Sequence, residues 1–488
     1  MPSDHRGPSQ ALLVPGVNCW RIERADRFAL IVDAADYFTA VKAAILNARH
    51  SVMLIGWDFD TRIRLEPGVA DQIGPEKLGR FLNWVAKRRP ELKIRILKWR
   101  LGTLQSLGRG ATPLFILNWI TLRRIRLKLD GVHPPGAAHH QKLVVIDDAM
   151  AFCGGIDMTT DRWDTRAHPD HDRLRTNPGG REHAPWHDAT TAVDGAVARA
   201  LGDLARMRWE WATGERLEPP SPDTDPWPDG LEPTLTDVDV GIARTLPAID
   251  GRDQVAEIHR LYLDAIAAAR RSIYVESQYF ASRMLAEAMI ARLQEPDGPE
   301  ILLVNPESAD GWLEQTAMDS ARSRLLHLIA RNDPHRRFAI FHPVTEGGRP
   351  IYVHAKVMVV DDRLLKVGSS NLNNRSQGFD SECDLVVEAA PGSLAEAGLR
   401  ARIAGVRDDL LAEHLGTTPE AIAAAVAEHH GSLLATVAAL NPKTGRRLVP
   451  LRPRPLSALE EAVAETDLVD PEPPKGAWRR FRRRLRRR

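Results

Sequence analysis

Two stretches of the chain place apolar residues at steps of three and four, "AADYFTAVKAAILNA" (34–48) and "VAEIHRLYLDAIAAA" (255–269), and this period predicts a helix in each. Both run through Ala-Arg into a Ser-led apolar run, "ARHSVMLIGWDF" (48–59) and "ARRSIYVESQYF" (269–280), which reads as a buried strand. A further helical pattern follows at 77–89 and 283–294, then short strand patterns at 92–99 and 300–305. Each series ends in a Val- and Ile-rich strand, "HHQKLVVIDD" (139–148) and "VHAKVMVVDD" (353–362). Corresponding points lie 221 residues apart at the first strand and 214 at the last, so one unit is written twice at nearly equal length. Alternating helices and strands with a late strand pair predict an α/β sandwich in each half.

The segments between and after the repeats set the expected boundaries. A first lobe over 1–213 leads into a linker at 214–237, where "GERLEPPSPDTDPWPDGLEP" is rich in Pro, Asp and Glu. A second lobe runs over 238–415, and an Ala-rich helical extension with a basic tail occupies 416–488. With 43% hydrophobic and 27% charged residues, the chain has the composition of a soluble globular protein. Its net charge of +1 conceals +9 on residues 475–488, "KGAWRRFRRRLRRR", and −8 on the remainder. Cys19, Cys153 and Cys383 are too few and too scattered for a disulfide framework or a zinc site. The N-terminus lacks the pattern of a signal peptide, and "ATPLFILNWITL" (111–122) is too short to span a bilayer. A cytoplasmic protein with peripheral membrane contact is expected.

The late strands carry the chemistry. Period-two alternation puts His140, Lys142, Val144 and Ile146 on one side, and His354, Lys356, Met358 and Val360 likewise in the second copy. Asp147 and Asp361 have the opposite parity and begin "DD" turns, which suits them first to bracing and second to direct chemistry. After each hairpin comes a cluster of small and polar residues, "GGIDMTTDRWD" (154–164) and "GSSNLNNRS" (368–376). Two lysines, Asn371, serine hydroxyls such as that of Ser369, and close backbone N–H groups would cradle a phosphodiester. Duplication then has a reason: one imidazole attacks phosphorus while the other protonates the leaving oxygen and later activates water. Histidine suits both tasks because its pKa lies near neutrality.

The duplicated His-x-Lys-x4-Asp motif resembles the signature of the phospholipase D superfamily. The blocks "GGIDMTTDRWD", "PWHD" (185–188), "YVESQYF" (274–280) and "GSSNLNNRS" resemble those of members that act on glycerophospholipids, and the likeness covers roughly 30–415. The resemblance implies two similar α/β sandwich lobes related by pseudo-twofold symmetry, with one active site at their interface. It implies that His140 attacks and His354 protonates the leaving group, with Lys142 and Lys356 on phosphate oxygens and Asp147 and Asp361 completing the motifs. Asn371 matches a phosphate-contacting Asn; at the same offset of 17 residues the first copy has Asp157, a departure shared with phospholipid-cleaving members. Glu382 and Asp164 match positions that orient a histidine, with Asp161 competing for the second role.

Hydrolysis of phospholipid to phosphatidic acid and a free alcohol, through a phosphohistidine, is therefore expected, with no cofactor and no metal. "HPDHDRLRTNPGGREHAPWHD" (168–188) is rich in His and Asp, but its spacing fits no familiar zinc pattern and it reads as a polar loop at the site mouth. The alternatives are phosphatidyl transfer in the manner of cardiolipin synthases, and a superfamily nuclease, which the acidic body disfavours. An idle membrane adaptor fits poorly with two intact motifs. The expected partner is phospholipid at a membrane surface, with the Arg-, Trp- and Phe-bearing tail a candidate for anionic lipid. No nucleic acid is favoured, and with both copies fused a monomer is expected.

Overall fold

The structure is a computed structural model that describes residues 11–100, 124–221, 224–309 and 312–453. The apolar run at 111–122 and the basic tail at 475–488 lie outside the described residues. The first half contributes β1 (Arg21–Val32), α1 (Ala34–Asn47), β2 (Ser51–Gly56), α2 (Leu78–Arg88), β3 (Lys93–Trp99) and β4 (Ile125–Asp130). It continues with β5 (Leu143–Ile146), β6 (Met150–Gly154), β7 (Trp186–His187), β8 (Ala189–Asp194) and α3 (Gly195–Thr213). The second half opens with β9 (Leu235–Leu246), β10 (Val255–Ala256), α4 (Glu257–Ala268), β11 (Ser272–Glu276), α5 (Arg283–Leu293), β12 (Glu300–Val304) and α6 (Trp312–Asn332). Then come β13 (Phe338–Val344), β14 (Tyr352–Val353), β15 (Val357–Val360), β16 (Leu364–Gly368), α7 (Asn374–Gly378), β17 (Glu382–Glu388) and α8 (Glu396–Leu415). Helices α9 (Pro419–Glu428) and α10 (Leu433–Leu440) and strand β18 (Arg447–Pro450) close the described chain.

Local chemistry explains several boundaries. Gly214 ends α3 with φ of 73°, a left-handed turn that glycine adopts without strain. Thr418 caps α9 by accepting from Ala421 N–H, with Pro419 in the first turn where no intrahelical donor is needed. Strand β5 alternates: Leu143 and Val145 enter one core, Val144 and Ile146 another. Its counterpart β15 does the same, Val357 and Val359 joining the first of those cores and Met358 and Val360 a third.

The two halves share one sheet, in the order β18-β13-β12-β11-β15-β16-β17-β9-β1-β8-β6-β5-β2-β3-β4. Read outward from the centre, β9-β17-β16-β15-β11-β12-β13 mirrors β1-β8-β6-β5-β2-β3-β4. The last three strands of each series are parallel to one another and the other pairs antiparallel. The seam itself is an antiparallel ladder between β1 and β9, from Arg21↔Ile242 to Phe28↔Leu235. Residues 235–237 of the expected linker are thus already in β9, and β18, from the expected extension, adds to the sheet beside β13. One face of the sheet carries a core common to both halves under α3 and α8, and the other face carries a separate core in each half. Helix, sheet and helix make three layers.

Asp147 and Asp361 hold the corner where helix turns into strand. The Asp147 carboxylate accepts from the backbone N–H groups of Arg49, His50 and Ser51 at 2.6–2.8 Å. Asp361 accepts from Arg270, Arg271 and Ser272 at 2.6–2.9 Å. Both take positive φ, 52° and 53°, in the turn after their strand. Each satisfies three backbone N–H groups in the turn between helix and strand. We predict that Asp147→Ala and Asp361→Ala each destabilise the fold by about 3 kcal/mol, since several buried donors lose a charged acceptor. Asn at either position costs less, because it keeps an acceptor and tolerates the left-handed turn; chemical denaturation of the three proteins measures both effects.

Candidate active site

Each motif histidine lies just ahead of its strand and is anchored to the opposite half of the chain. His140 N–H donates to Ser381 O at 3.0 Å, beside a parallel bridge between His139 and Ser381. His354 N–H donates to His187 O at 2.7 Å, continuing the parallel pairing of β14 with β7. The residue after each acceptor is acidic, and its carboxylate meets the ring whose backbone its neighbour holds. Glu382 Oε2 lies 2.9 Å from His140 Nδ1, and Asp188 Oδ2 lies 2.6 Å from His354 Nδ1. A carboxylate at Nδ1 keeps the proton on that nitrogen, leaving Nε2 of each ring as the basic atom. Neither Nε2 has a hydrogen-bond partner among the described residues.

The lysines repeat this equivalence. Lys142 Nζ donates to His140 O at 3.0 Å and pairs with Asp157 Oδ2 at 3.1 Å. Lys356 Nζ donates to His354 O and, at 3.3 Å, to Gln278 Oε1. Burial, with Lys142 and Lys356 adding to it, holds His140 well below the usual histidine range. His354 is depressed in the same direction, again by burial first and then by Lys356, Arg162, Lys142 and His140. The four motif side chains therefore lie close enough for their charges to act on one another. Desolvation pushes Glu382 up to about 8 and Lys356 down to about 7. A phosphate anion would favour the charged forms of Lys356 and the two imidazoles, which burial disfavours.

The helix-strand order of the repeat, the shared sheet and the paired motifs can now be set beside known proteins. A family model described as "Cardiolipin synthase, PLD-like domain" matches residues 262–397. Phospholipase D A of Dictyostelium discoideum is 26% identical over 416 residues, covering 71% of this chain and 31% of that protein. Cardiolipin synthase A of Salmonella arizonae is 25% identical over 402 residues, covering 80% and 70%. Residues 262–397 thus resemble a PLD-like domain, and a larger part of the chain is similar in sequence to phospholipase D and cardiolipin synthase proteins. The chain spans 31% to 63% of the length of the phospholipase D relatives from Dictyostelium discoideum and Nicotiana tabacum. A likeness of fold extends to phosphatidylserine synthase of Haemophilus influenzae Rd KW20, with a TM-score of 0.52 over 78% of this chain and 88% of that one at 13% identity. These likenesses support an enzyme of the phosphodiesterase kind.

Within the phospholipase D-like frame, several residues stand elsewhere than their motif positions imply. Asp147 and Asp361 complete the motifs in sequence only; their oxygens are taken up by the backbone corners described above. Asp164 reaches neither motif histidine: it binds His168 Nδ1 at 2.9 Å, Arg175 at 3.1 Å and Trp186 N–H at 2.9 Å. Asp188 takes the place expected of it. Asp161 is also absent from the His354 ring, whose Nδ1 partner is Asp188 alone. The Ser369 hydroxyl donates to Glu382 Oε2 at 2.5 Å and accepts from Cys383 N–H, so it braces the carboxylate and has no proton left for phosphate. Asp157 neutralises Lys142 and accepts from Trp57 N–H at 3.0 Å, a carboxylate where an anion would be repelled. Asn371 is buried, with its Oδ1 unpartnered.

Four residues escaped the sequence reading. Ser376 donates to Glu382 Oε1 at 2.7 Å, and Gln278 holds Lys356. Arg162 lies 4.1 Å over the Trp186 ring, which stacks on Tyr352 and tilts against His354. Asp188 is the counterpart of Glu382 in the sheet register. It sits two residues before Thr190, the partner of Gly154, as Glu382 sits two before Asp384, the partner of Gly368. Gly155 confirms how tight that corner is, since a Cβ there would stand 2.1 Å from Asp188 Oδ1.

Lys356 yields a pH test with a definite sign. A lysine lowered to about 7 is charged below that pH and neutral above it, so its help in holding an anion fades as pH rises through 7. Inhibition by dimethyl phosphate, a monoanion throughout this range, should weaken above pH 7 in the parent protein. Lys356→Arg, which keeps its charge, should remove the loss that begins near pH 7.

Proposed function

We propose that the chain hydrolyses glycerophospholipids to phosphatidic acid and a free alcohol through a phosphohistidine at His140. The observation that carries this reading is the crossed clamp, in which each motif histidine has its Nδ1 on a carboxylate from the other half. Two imidazoles so prepared supply a nucleophile and an acid for the same phosphorus.

In the first step the lone pair on His140 Nε2 attacks phosphorus, and the bond from phosphorus to the headgroup oxygen breaks. His354, carrying a proton on Nε2 once the substrate anion has raised its pKa, gives that proton to the departing alkoxide. Its side chain is the more enclosed of the two, at 7% exposure against 17% for His140. Lys142, Lys356 and Asn371 contact the phosphoryl oxygens as negative charge builds on them. In the second step neutral His354 takes a proton from water, the resulting oxygen attacks phosphorus, and the P–N bond to His140 breaks. Glu382 and Asp188 keep each ring in one tautomer and stabilise the imidazolium when it forms.

Phosphatidyl transfer is the second reading, and the likeness to cardiolipin synthase A over 80% of this chain favours it. Both readings use the same intermediate and differ only in whether water or an alcohol accepts the phosphatidyl group. No helix among the described residues is long and apolar enough to cross a membrane, so contact with lipid would be made at the bilayer surface.

The deciding assay incubates the protein with mixed phospholipid vesicles and a primary alcohol and identifies the products by mass. Phosphatidic acid supports hydrolysis and phosphatidyl-alcohol supports transfer, whereas nicked DNA beside intact lipid would discard the lipid reading. Roles are separated by leaving group. His140→Ala should abolish turnover of every substrate. His354→Ala should lower turnover of a phospholipid by about 10²–10⁴-fold yet leave a p-nitrophenyl phosphodiester nearly unaffected, because nitrophenolate departs without a proton. Glu382→Gln should cost about 10²-fold or more in kcat with little change in KM, since it leaves the His140 tautomer unfixed.

A further inference from the structure

Behind the second motif, four buried side chains converge from distant parts of the chain. They are Asp33 at the start of α1, His168 in the loop after β6, His187 in β7 and Glu413 near the end of α8. Glu413 Oε1 lies 3.1 Å from His168 Nε2 and 2.9 Å from His187 Nδ1. Asp33 completes the group, Oδ2 standing 3.2 Å from His168 Nε2 and Oδ1 3.4 Å from His187 Nδ1. Four ligands at about 2.05 Å around a tetrahedral ion are about 3.3 Å apart, and the edges within one set of ligand atoms, Glu413 Oε1 to both imidazoles and Asp33 Oδ2 to His168, run from 2.9 to 3.2 Å.

Two further observations point to an ion. Asp33 is 1% exposed, and its Oδ2 has no hydrogen-bond partner even though an imidazole nitrogen is 3.2 Å away. Lone pairs aimed at a common centre give a close contact of this kind without the alignment of a hydrogen bond. The far nitrogen of each ring also meets a separate carboxylate: His168 Nδ1 lies 2.9 Å from Asp164 Oδ2, and His187 Nε2 lies 2.9 Å from Glu276 Oε2. A carboxylate behind each ring is the arrangement that orients metal-bound histidines. The ligands are fixed in turn, Arg166 holding Glu413 Oε2 at 2.5 Å and Asp188 N–H donating to Asp33 Oδ1 at 3.0 Å.

We propose that Asp33, His168, His187 and Glu413 bind one divalent transition-metal ion of the zinc class in a closed, structural site. Two imidazole nitrogens and two carboxylate oxygens suit a tetrahedral borderline ion, and four protein ligands leave no position open for substrate. The ion joins α8 of the second half to three segments of the first. It also stands one residue from the His354 clamp, because His187 O holds His354 N–H and Asp188 binds the ring. Its task is to position that clamp.

Full-length protein without an affinity tag, purified without chelator, should contain about one zinc per chain by elemental analysis. Removal of metal should lower Tm by several degrees, and zinc should restore it. Cobalt added to the stripped protein should give the intense visible absorption of a tetrahedral site. Glu413→Gln, if its circular dichroism shows it folded, should lose both the bound zinc and the cobalt spectrum. His168→Gln provides a second ligand variant should the first fail to fold. Background metal in folded parent protein, together with no cobalt spectrum, would overturn the proposal and leave two imidazolium rings among four carboxylates as the correct description. None of these measurements uses turnover, so failure of the lipid reading would leave them unaffected.

Discussion

Each motif imidazole is oriented by a carboxylate that belongs to the opposite half of the chain, and the rest of the architecture follows from that exchange. Glu382 reaches His140 only because the chain before β17 lies beside the first motif, and Asp188 reaches His354 only because β7 lies beside β14. Backbone and side chain are engaged together at both places, so the rings are fixed in position and in tautomer at once. Neither half holds a complete site. Duplication gives the chain two histidines; exchange makes them one pocket.

Burial sets the electrostatics of that pocket. Glu382, Asp188, Lys356 and both histidines are pushed toward their neutral forms by desolvation. An anionic phosphodiester arriving among them supplies the charge that favours protonated Lys356 and protonated His354. Under the proposed reaction, substrate binding would thus bring the acid into the form it needs. The hydroxyls of Ser369 and Ser376 keep the Glu382 carboxylate in place through this change.

Much of this was legible in the sequence wherever the signal was local. The repeated period of three and four found α1, α2, α4 and α5 to within about two residues, and alternation at Leu143–Ile146 and Val357–Val360 identified the strands after each motif. Long-range pairing was not legible. The twelve-residue strands β1 and β9 sit at the centre of the sheet, yet nothing within either sequence names the other as its partner. The same limit explains Asp164. It follows the first cluster closely in sequence, whereas Asp188, after a long loop, is the one that β7 carries to His354. Ser369 and Asp157 were misjudged because composition shows which groups can bind phosphate but not which are already engaged. The His- and Asp-rich segment at 168–188 is loop up to β7, but its two outer histidines, His168 and His187, are buried against partners that include Asp33 and Glu413, both more than 130 residues away in sequence.

The ladder between β1 and β9 bears on how such a protein can open and how it can be divided. Domains that meet through side chains can hinge apart to admit a ligand, but here seven residue pairs of backbone pairing, interrupted at Asp26 and Asp237, cross the midline. Breathing of the pocket is therefore left to the loops around it, and the spacing between the two reacting rings is as rigid as the sheet. If the chain were cut at its midpoint, each fragment would carry a naked twelve-residue edge strand, a template for indiscriminate self-association until it met its counterpart.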